Sequence, residues 1–132
     1  MAELSALDAL LGAQPEITST VHIKRLGVDF KVKSLTGEDV SKLREEATRY
    51  EIKGKERKSF VDENELGLAM VVAATIEPDF KDPKLLAHYG VSTANQCVNK
   101  ALIAGELAQL TNAVVAVSGL GGNEEEIEAI KN

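Results

Sequence analysis

The stretch that most restricts the fold of this chain is residues 76–119, IEPDFKDPKLLAHYGVSTANQCVNKALIAGELAQLTNAVVAVSG. Asp82 and Pro83 put a carboxylate at a helix N-cap and a proline at the first helical position, where its missing N–H costs nothing because that donor has no intrahelical partner. Leu85, Leu86 and Tyr89 give this short helix an apolar side, and Gly90 can adopt the left-handed conformation that closes a helix C-terminus. Ser92 or Thr93 can then cap a second helix. No proline lies between Thr93 and Gly119, so the spacing predicts one continuous helix of about 25 residues, roughly 37 Å long.

Along that helix Ile103, Leu107, Leu110, Val114 and Val117 follow each other at helical steps, while Val98, Ala101, Leu102, Ala108 and Val115 lie on adjoining sides. The apolar arc is wider than one stripe, which predicts a central helix enclosed by several neighbours. Leu107, Leu110, Val114 and Val117 are also the candidate partner-binding residues, either as surplus apolar surface or as ordinary core.

The rest of the chain supplies what that helix packs against. Thr20–Arg25 and Asp29–Lys33 alternate apolar and polar residues around Gly27, predicting a β-hairpin whose buried face is Val21, Ile23, Phe30 and Val32. A two-stranded sheet does not stand alone, so helices must cover it. Thr36-Gly-Glu-Asp39 signals an N-cap, and Val40, Leu43, Ala47 and Tyr50 predict a helix over 37–50. Residues 51–60, EIKGKERKSF, read as a loop or a small exposed hairpin. Asp62 caps a third helix, rich in Leu, Ala, Met and Val, that is expected to pack on the long one.

The expected fold class is therefore α+β, mostly α: a helical bundle of about four helices with a small N-terminal β-hairpin. Residues 1–19 read as an N-terminal arm or short helix, with a Ser5–Asp8 capping signal ahead of Leu10 and Leu11, that is either a docking segment or loosely held. Residues 20–119 form a single globular domain, and 120–132 a flexible acidic tail. A chain of 132 residues can bury one core without metals or disulfides. Its formal charge of −6 comes from the two ends, because residues 21–120 carry fourteen charges of each sign. In the tail Ile127 and Ile130 stand three apart among four glutamates, a pattern that can form a brief amphipathic helix on a partner and makes both candidate binding residues.

Chemistry is sparse. His22 and His88 lie on separate elements with no nearby Cys or His at metal spacing, which argues against zinc. Cys97 follows a predicted helix start, where a thiol pKa can fall, but reads better as a small buried hydrophobe. Glu77, Asp79 and Asp82 lack the ligand ladder of a calcium loop and serve turn and cap. Residues 119–122, GLGG, follow a helix and precede carboxylates, so they are a helix stop, not a phosphate loop. Lys53, Lys55, Arg57 and Lys58 form a basic patch broken by Glu51 and Glu56, with no stacking partner among them, and read as a solvated loop. With three Phe, two Tyr and no Trp, nucleic acid is disfavoured as a partner. The uncharged interval between Glu106 and Glu124 is too polar for a membrane span, and the N-terminus carries no secretory pattern. No cofactor, metal site or catalytic group is expected, so the chain reads as a binding or assembly protein and not an enzyme.

The ordered set TVHIKRLGVDFKVKSLTGEDVSKLREEAT, EPDFKDPKLLAHYGV and NKALIAGELAQLTNAVVAVSGL resembles the XkdN-like phage tail assembly chaperones of tailed phages and prophages of Gram-positive bacteria. The resemblance spans roughly residues 1–130. It implies a protein of the host bacterial cytoplasm that binds the tape measure protein and helps recruit tail tube subunits during tail morphogenesis. Self-association is a further option. A small helical adaptor or regulator of a host protein shares the composition and is the alternative. An enzyme, the third class, would depend on Cys97, His22 or His88.

Overall fold

The computed structural model describes residues 5–14 and 16–120. Their order is α1 (Ala6–Gly12), β1 (Thr18–Ile23), β2 (Val28–Lys33), α2 (Gly37–Glu46), β3 (Thr48–Lys53), β4 (Glu56–Val61), α3 (Glu63–Ala74), β5 (Thr75–Glu77), α4 (Pro83–Tyr89), α5 (Ala94–Ala101) and α6 (Ala104–Val117). The predicted tail, apart from Leu120, lies outside the described residues.

Local signals work as their chemistry requires. The Thr36 hydroxyl accepts from the Asp39 N–H at 3.2 Å and the Asp39 carboxylate accepts from the Thr36 N–H at 2.9 Å. Thr93 and Gln96 form the same reciprocal cap on α5, Asp62 caps α3, and Asp82 caps α4 ahead of Pro83. Gly90 ends α4 at φ 65°, a conformation that would strain any side chain with a Cβ. Gly27, at φ 67°, turns β1 back onto β2 with Val21 opposite Phe30.

The helical bundle with one hairpin is overturned. Among the described residues there are six helices and five strands in two separate sheets. The first hairpin gains a third antiparallel strand, because α3 stops at Ala74 and Thr75–Glu77 pairs along the free edge of β2, making the order β1-β2-β5. Extended, β-branched Thr75 and Ile76 satisfy a sheet edge better than they extend a helix. The second sheet is the β3–β4 ribbon. Helix α2 ends at Glu46, and Thr48–Lys53 pairs with Glu56–Val61 around Gly54, at φ 64°. The sequence left hairpin and loop open for 51–60; the hairpin forms and begins three residues earlier.

The long helix is overturned too. The chain leaves helical geometry at Leu102, which is extended at φ −105°, ψ 142°, and restarts at Ala104. Arg25, on the β1–β2 connection, supplies the reason. Its Nη2 donates to the Ala101 carbonyl at 3.2 Å, satisfying an acceptor that a helix end leaves open. The same guanidinium grips Glu106 with two hydrogen bonds, at 2.6 and 2.8 Å. Glu106 in turn accepts the Ile103 N–H at 3.0 Å at the start of α6. One fork-shaped ion pair therefore serves both sides of the break.

The break lets two shorter helices cover different neighbours. Helix α6 lies on β1 and β2, while α3 packs against both α5 and α6, and α4 against α5. Ile23, Val32, Val71, Cys97, Val98, Leu110 and Val114 are the fully buried centre. Phe80, from the turn before α4, closes one side by meeting Phe30 edge-on at 6.1 Å between centroids.

Candidate functional site

The core is complete, so the surface is where other chains can be met. Helix α3 carries apolar residues around most of its circumference; Leu66, Ala69, Met70, Val71 and Ala74 turn inward, and Leu68 is left on the flank. Beside it α6 presents Leu107 and Thr111, and α5 presents Asn99. Together with Glu63, Asn64, Glu65 and Gly67 these line a groove of about 430 Å³. Gly67 deepens it: a Cβ at that position meets nothing within 4 Å. The Thr111 hydroxyl donates to its own helix at the Leu107 carbonyl, 2.8 Å away, and Glu65 accepts from Asn95 at 3.2 Å. Among the described residues the Glu63 carboxylate has no partner, and it stands at the rim. The groove thus sets Leu68 and Leu107 among polar side chains, with a carboxylate at one lip, chemistry suited to side chains from one face of an amphipathic helix.

Two other apolar surfaces have no cover among the described residues. Helix α1 is capped by Ser5, yet none of its residues is buried, and Leu7, Leu10 and Leu11 form one exposed stripe, the last two 76% exposed. The β3–β4 ribbon is anchored at its root, where the Asp62 N–H donates to the Ala47 carbonyl at 2.8 Å and Ala47 and Val61 join the core. Beyond the root both faces are open. Tyr50, Ile52 and Phe60 are 61%, 75% and 50% exposed, and the Arg57 guanidinium lies over the Tyr50 ring at 4.2 Å.

The residues singled out in the sequence end in different places. Leu110 and Val114 are fully buried. Leu107 is half-buried and lines the groove. Val117 is half-buried against the core. Ile127 and Ile130 lie outside the described residues. Cys97 is buried, and desolvation pushes its thiol pKa up, the reverse of an activated nucleophile. His22 bonds Asp29 across the first hairpin at 2.7 Å, and His88 stacks edge-on against Tyr89. Among the described residues no group of three His, Cys, Asp or Glu is placed to hold a metal, and no helix is long and apolar enough to cross a membrane.

Arg25 and Glu106 escaped the sequence reading. Glu106 was legible, since a Glu three residues after Ile103 fits the third position of a new helix. Its carboxyl is held below the usual range, chiefly by the Arg25 hydrogen bonds, and the Arg25 pKa is raised by the same contact. Nothing in the spacing of residues 25 and 106 announces that pairing.

An α+β body with open apolar surfaces is what a protein that handles other chains requires, and comparison with known proteins says which kind. The chain belongs to the phage XkdN-like tail assembly chaperone family, whose model matches residues 7–131. Its role lies in phage tail assembly, and the family is one of chaperones, not of enzymes. It is 29% identical over 108 residues to the uncharacterised protein YqbN of Bacillus subtilis (strain 168), covering 80% of this chain and 72% of that protein. The crystal structure of YqbN shares the fold, with a TM-score of 0.67 over 89% of this chain and 98% of that one, at 19% identity.

Proposed function

We propose that this protein binds the tape measure protein and helps bring tail tube subunits to it during tail morphogenesis, acting in the host cytoplasm. Family membership over residues 7–131 carries the reading. The groove between α3 and α6 supplies a physical means. A tape measure is a long helical chain whose apolar face needs shielding until the tube encloses it, and a helix lays such a face into an apolar groove by inserting residues at i, i+3, i+4 and i+7. Leu68 and Leu107 are the apolar contacts, Gly67 admits close approach, and Glu63 at the lip favours a basic residue on the incoming helix. A shallow groove gives contacts weak enough to be released.

Co-expression with the tape measure protein of the same phage genome tests both levels. The expected result is a soluble tape measure that co-elutes with this protein. Failure to solubilise or co-elute ends the tape measure reading. Gly67→Leu fills the groove without touching the core; the variant is expected to fold and to lose the complex, and full retention of the complex would remove the groove from the mechanism.

A further inference from the structure

The β3–β4 ribbon leaves a backbone edge unpaired. Among the described residues β3 has β4 as its sole neighbour in the sheet, and every residue of β3 after Thr48 is exposed. The Asp62 N–H donates to the Ala47 carbonyl, and Lys53 faces Glu56 across the turn. Backbone groups alternate sides along an antiparallel strand, so Arg49, Glu51 and Lys53 direct theirs at β4, whereas Thr48, Tyr50 and Ile52 turn theirs to the open edge. Such a row of N–H and C=O groups is a template for a further strand.

We propose that this edge takes β3 of a second copy, antiparallel about a two-fold axis at Tyr50. In that register Tyr50 exchanges backbone bonds with Tyr50 of the second copy, and Thr48 with Ile52 on either side, about six bonds in all. On one face the two Tyr50 rings meet and each Ile52 lies beside a Thr48 methyl. On the other, each Arg49 stands directly opposite Glu51 of the second copy, in the non-hydrogen-bonded pairs where side chains come closest. Within one chain these charges are only loosely engaged: the Arg49 Nη1 donates to the Glu46 and Thr48 carbonyls at 2.9 and 3.3 Å, and Glu51 is 3.9 Å from the Lys53 ammonium. The guanidinium keeps further donors for a carboxylate, and a carbonyl oxygen has a second lone pair for the incoming Ile52 N–H.

The order of charges selects this register. Setting Tyr50 opposite Ile52 would place Glu51 against Glu51 and Arg49 against Lys53, and like charges directly opposite are destabilising. Setting Ile52 opposite itself pairs Glu51 with Lys53 but runs into the turn at Gly54, so the overlap is shorter. The β4 edge offers nothing comparable. Registers centred on Arg57 or Lys58 set like charges opposite each other, and the one centred on Ser59 sets Glu56 against Asp62. The β1 edge, Thr18–Ile23, holds no carboxylate, lysine or arginine to fix a register. With Tyr50 on the axis, Ala47 at the root of one ribbon falls opposite Lys53 of the other, which keeps the two bodies at opposite ends, about 20 Å of strand apart. Contact through residues 48–52 is small beside the roughly 20–30 residues a side of a stable interface, so the association is transient and depends on concentration.

Sedimentation equilibrium of the full chain provides the test. The average mass is expected to rise from that of one chain towards that of two between about 10 μM and about 1 mM. Arg49→Glu and Glu51→Arg each place like charges opposite one another and should weaken association about tenfold. An equimolar mixture of the two variants restores opposite charges at both positions and should regain the wild-type mass, which also shows that neither variant is misfolded. In the wild type, hydrogen exchange of the Tyr50 and Ile52 amides should slow as concentration rises, while that of Arg49 and Glu51, already bonded to β4, stays constant. A wild type that remains a single chain at about 1 mM overturns the proposal. So does undiminished association of either variant, a mixture no better than its components, or a rise in mass with no slowing at Tyr50 and Ile52, since each puts the contact elsewhere.

Discussion

The packed body and the β3–β4 ribbon are built from similar residue types, and only one of them is covered. In the body, Val21, Ile23, Phe30 and Val32 alternate along two strands and are buried beneath helices from later in the chain. In the ribbon, Tyr50 and Ile52 alternate along β3 on one face, Phe60 stands on the other, and all three remain exposed. Alternation therefore fixes that a segment pairs as a strand; whether its apolar residues become core depends on a cover that the chain must supply elsewhere. Where the described residues supply none, the apolar surface is available to another segment or another protein.

Substitutions should separate the two regions most sharply at the centre of the body. Leu110→Ala is expected to lower stability by about 2–5 kcal/mol, because removing a fully buried side chain loses its transfer energy and leaves a cavity. Val114→Asp is expected to go further and prevent folding, since it buries a carboxylate with no partner. Denaturant unfolding measures the first, and the amount of soluble protein the second. A folded Val114→Asp protein that merely loses its tail partner would instead make Val114 an interface residue.

Acid should weaken the body next. The Glu106 carboxyl is held below its ordinary value of 4.5, first by the Arg25 hydrogen bonds. Asp39 is held below 3.8, first by the Thr36 backbone N–H. A carboxyl whose folded pKa is depressed contributes fully above its unfolded pKa and loses that contribution as pH falls through the folded one. The melting temperature should thus be flat near neutrality and fall below about pH 4.5. Glu106→Gln should lower the melting temperature at pH 7 and flatten its fall in acid. An unaltered acid profile in that variant would mean that the Arg25 contact does not hold the helix break.

What the sequence disclosed follows the range over which each cause acts. Caps at Thr36, Asp62, Asp82 and Thr93, the left-handed Gly90 and the first hairpin around Gly27 are settled within a few residues, and all are where their local chemistry puts them. The break at Leu102 and the strand Thr75–Glu77 are settled by contacts from the distant β1–β2 hairpin, through Arg25 in one case and the edge of β2 in the other. Periodicity within 93–118 could not reveal the break, because the apolar phase continues across it through Val98, Leu102, Leu110 and Val114. The groove was half legible: Leu107 stood out as apolar, but its neighbours Leu68 and Gly67 came from a helix expected only to pack on the long one.

Filling the groove by a single methyl should have a smaller effect, and a favourable one. Gly67 sits inside α3, where glycine is about 1 kcal/mol less favourable than alanine. A Cβ there touches nothing, so Gly67→Ala should raise stability by up to about 1 kcal/mol in denaturant unfolding. If the groove receives a closely approaching helix, the same substitution should weaken the complex while it stabilises the free protein. A gain in stability with no loss of binding would show that the partner does not come near this part of α3.

The ribbon should give the smallest change in stability. Ile52 is 75% exposed and supports nothing beneath it, so Ile52→Ser is expected to move stability by no more than about 0.5 kcal/mol, the usual range for surface positions. Tyr50→Ser also removes the ring beneath Arg57 and should cost somewhat more, about 0.5–1 kcal/mol, the worth of an exposed cation–π contact. Both are read in the same unfolding experiment as Leu110→Ala, which makes the contrast internal. If Ile52→Ser costs several kcal/mol, the ribbon is part of the core after all. If both ribbon substitutions leave stability unchanged but abolish a tail-assembly contact, the apolar residues of the ribbon are kept for partners, and the alternating pattern they share with β1 and β2 reflects strand pairing alone.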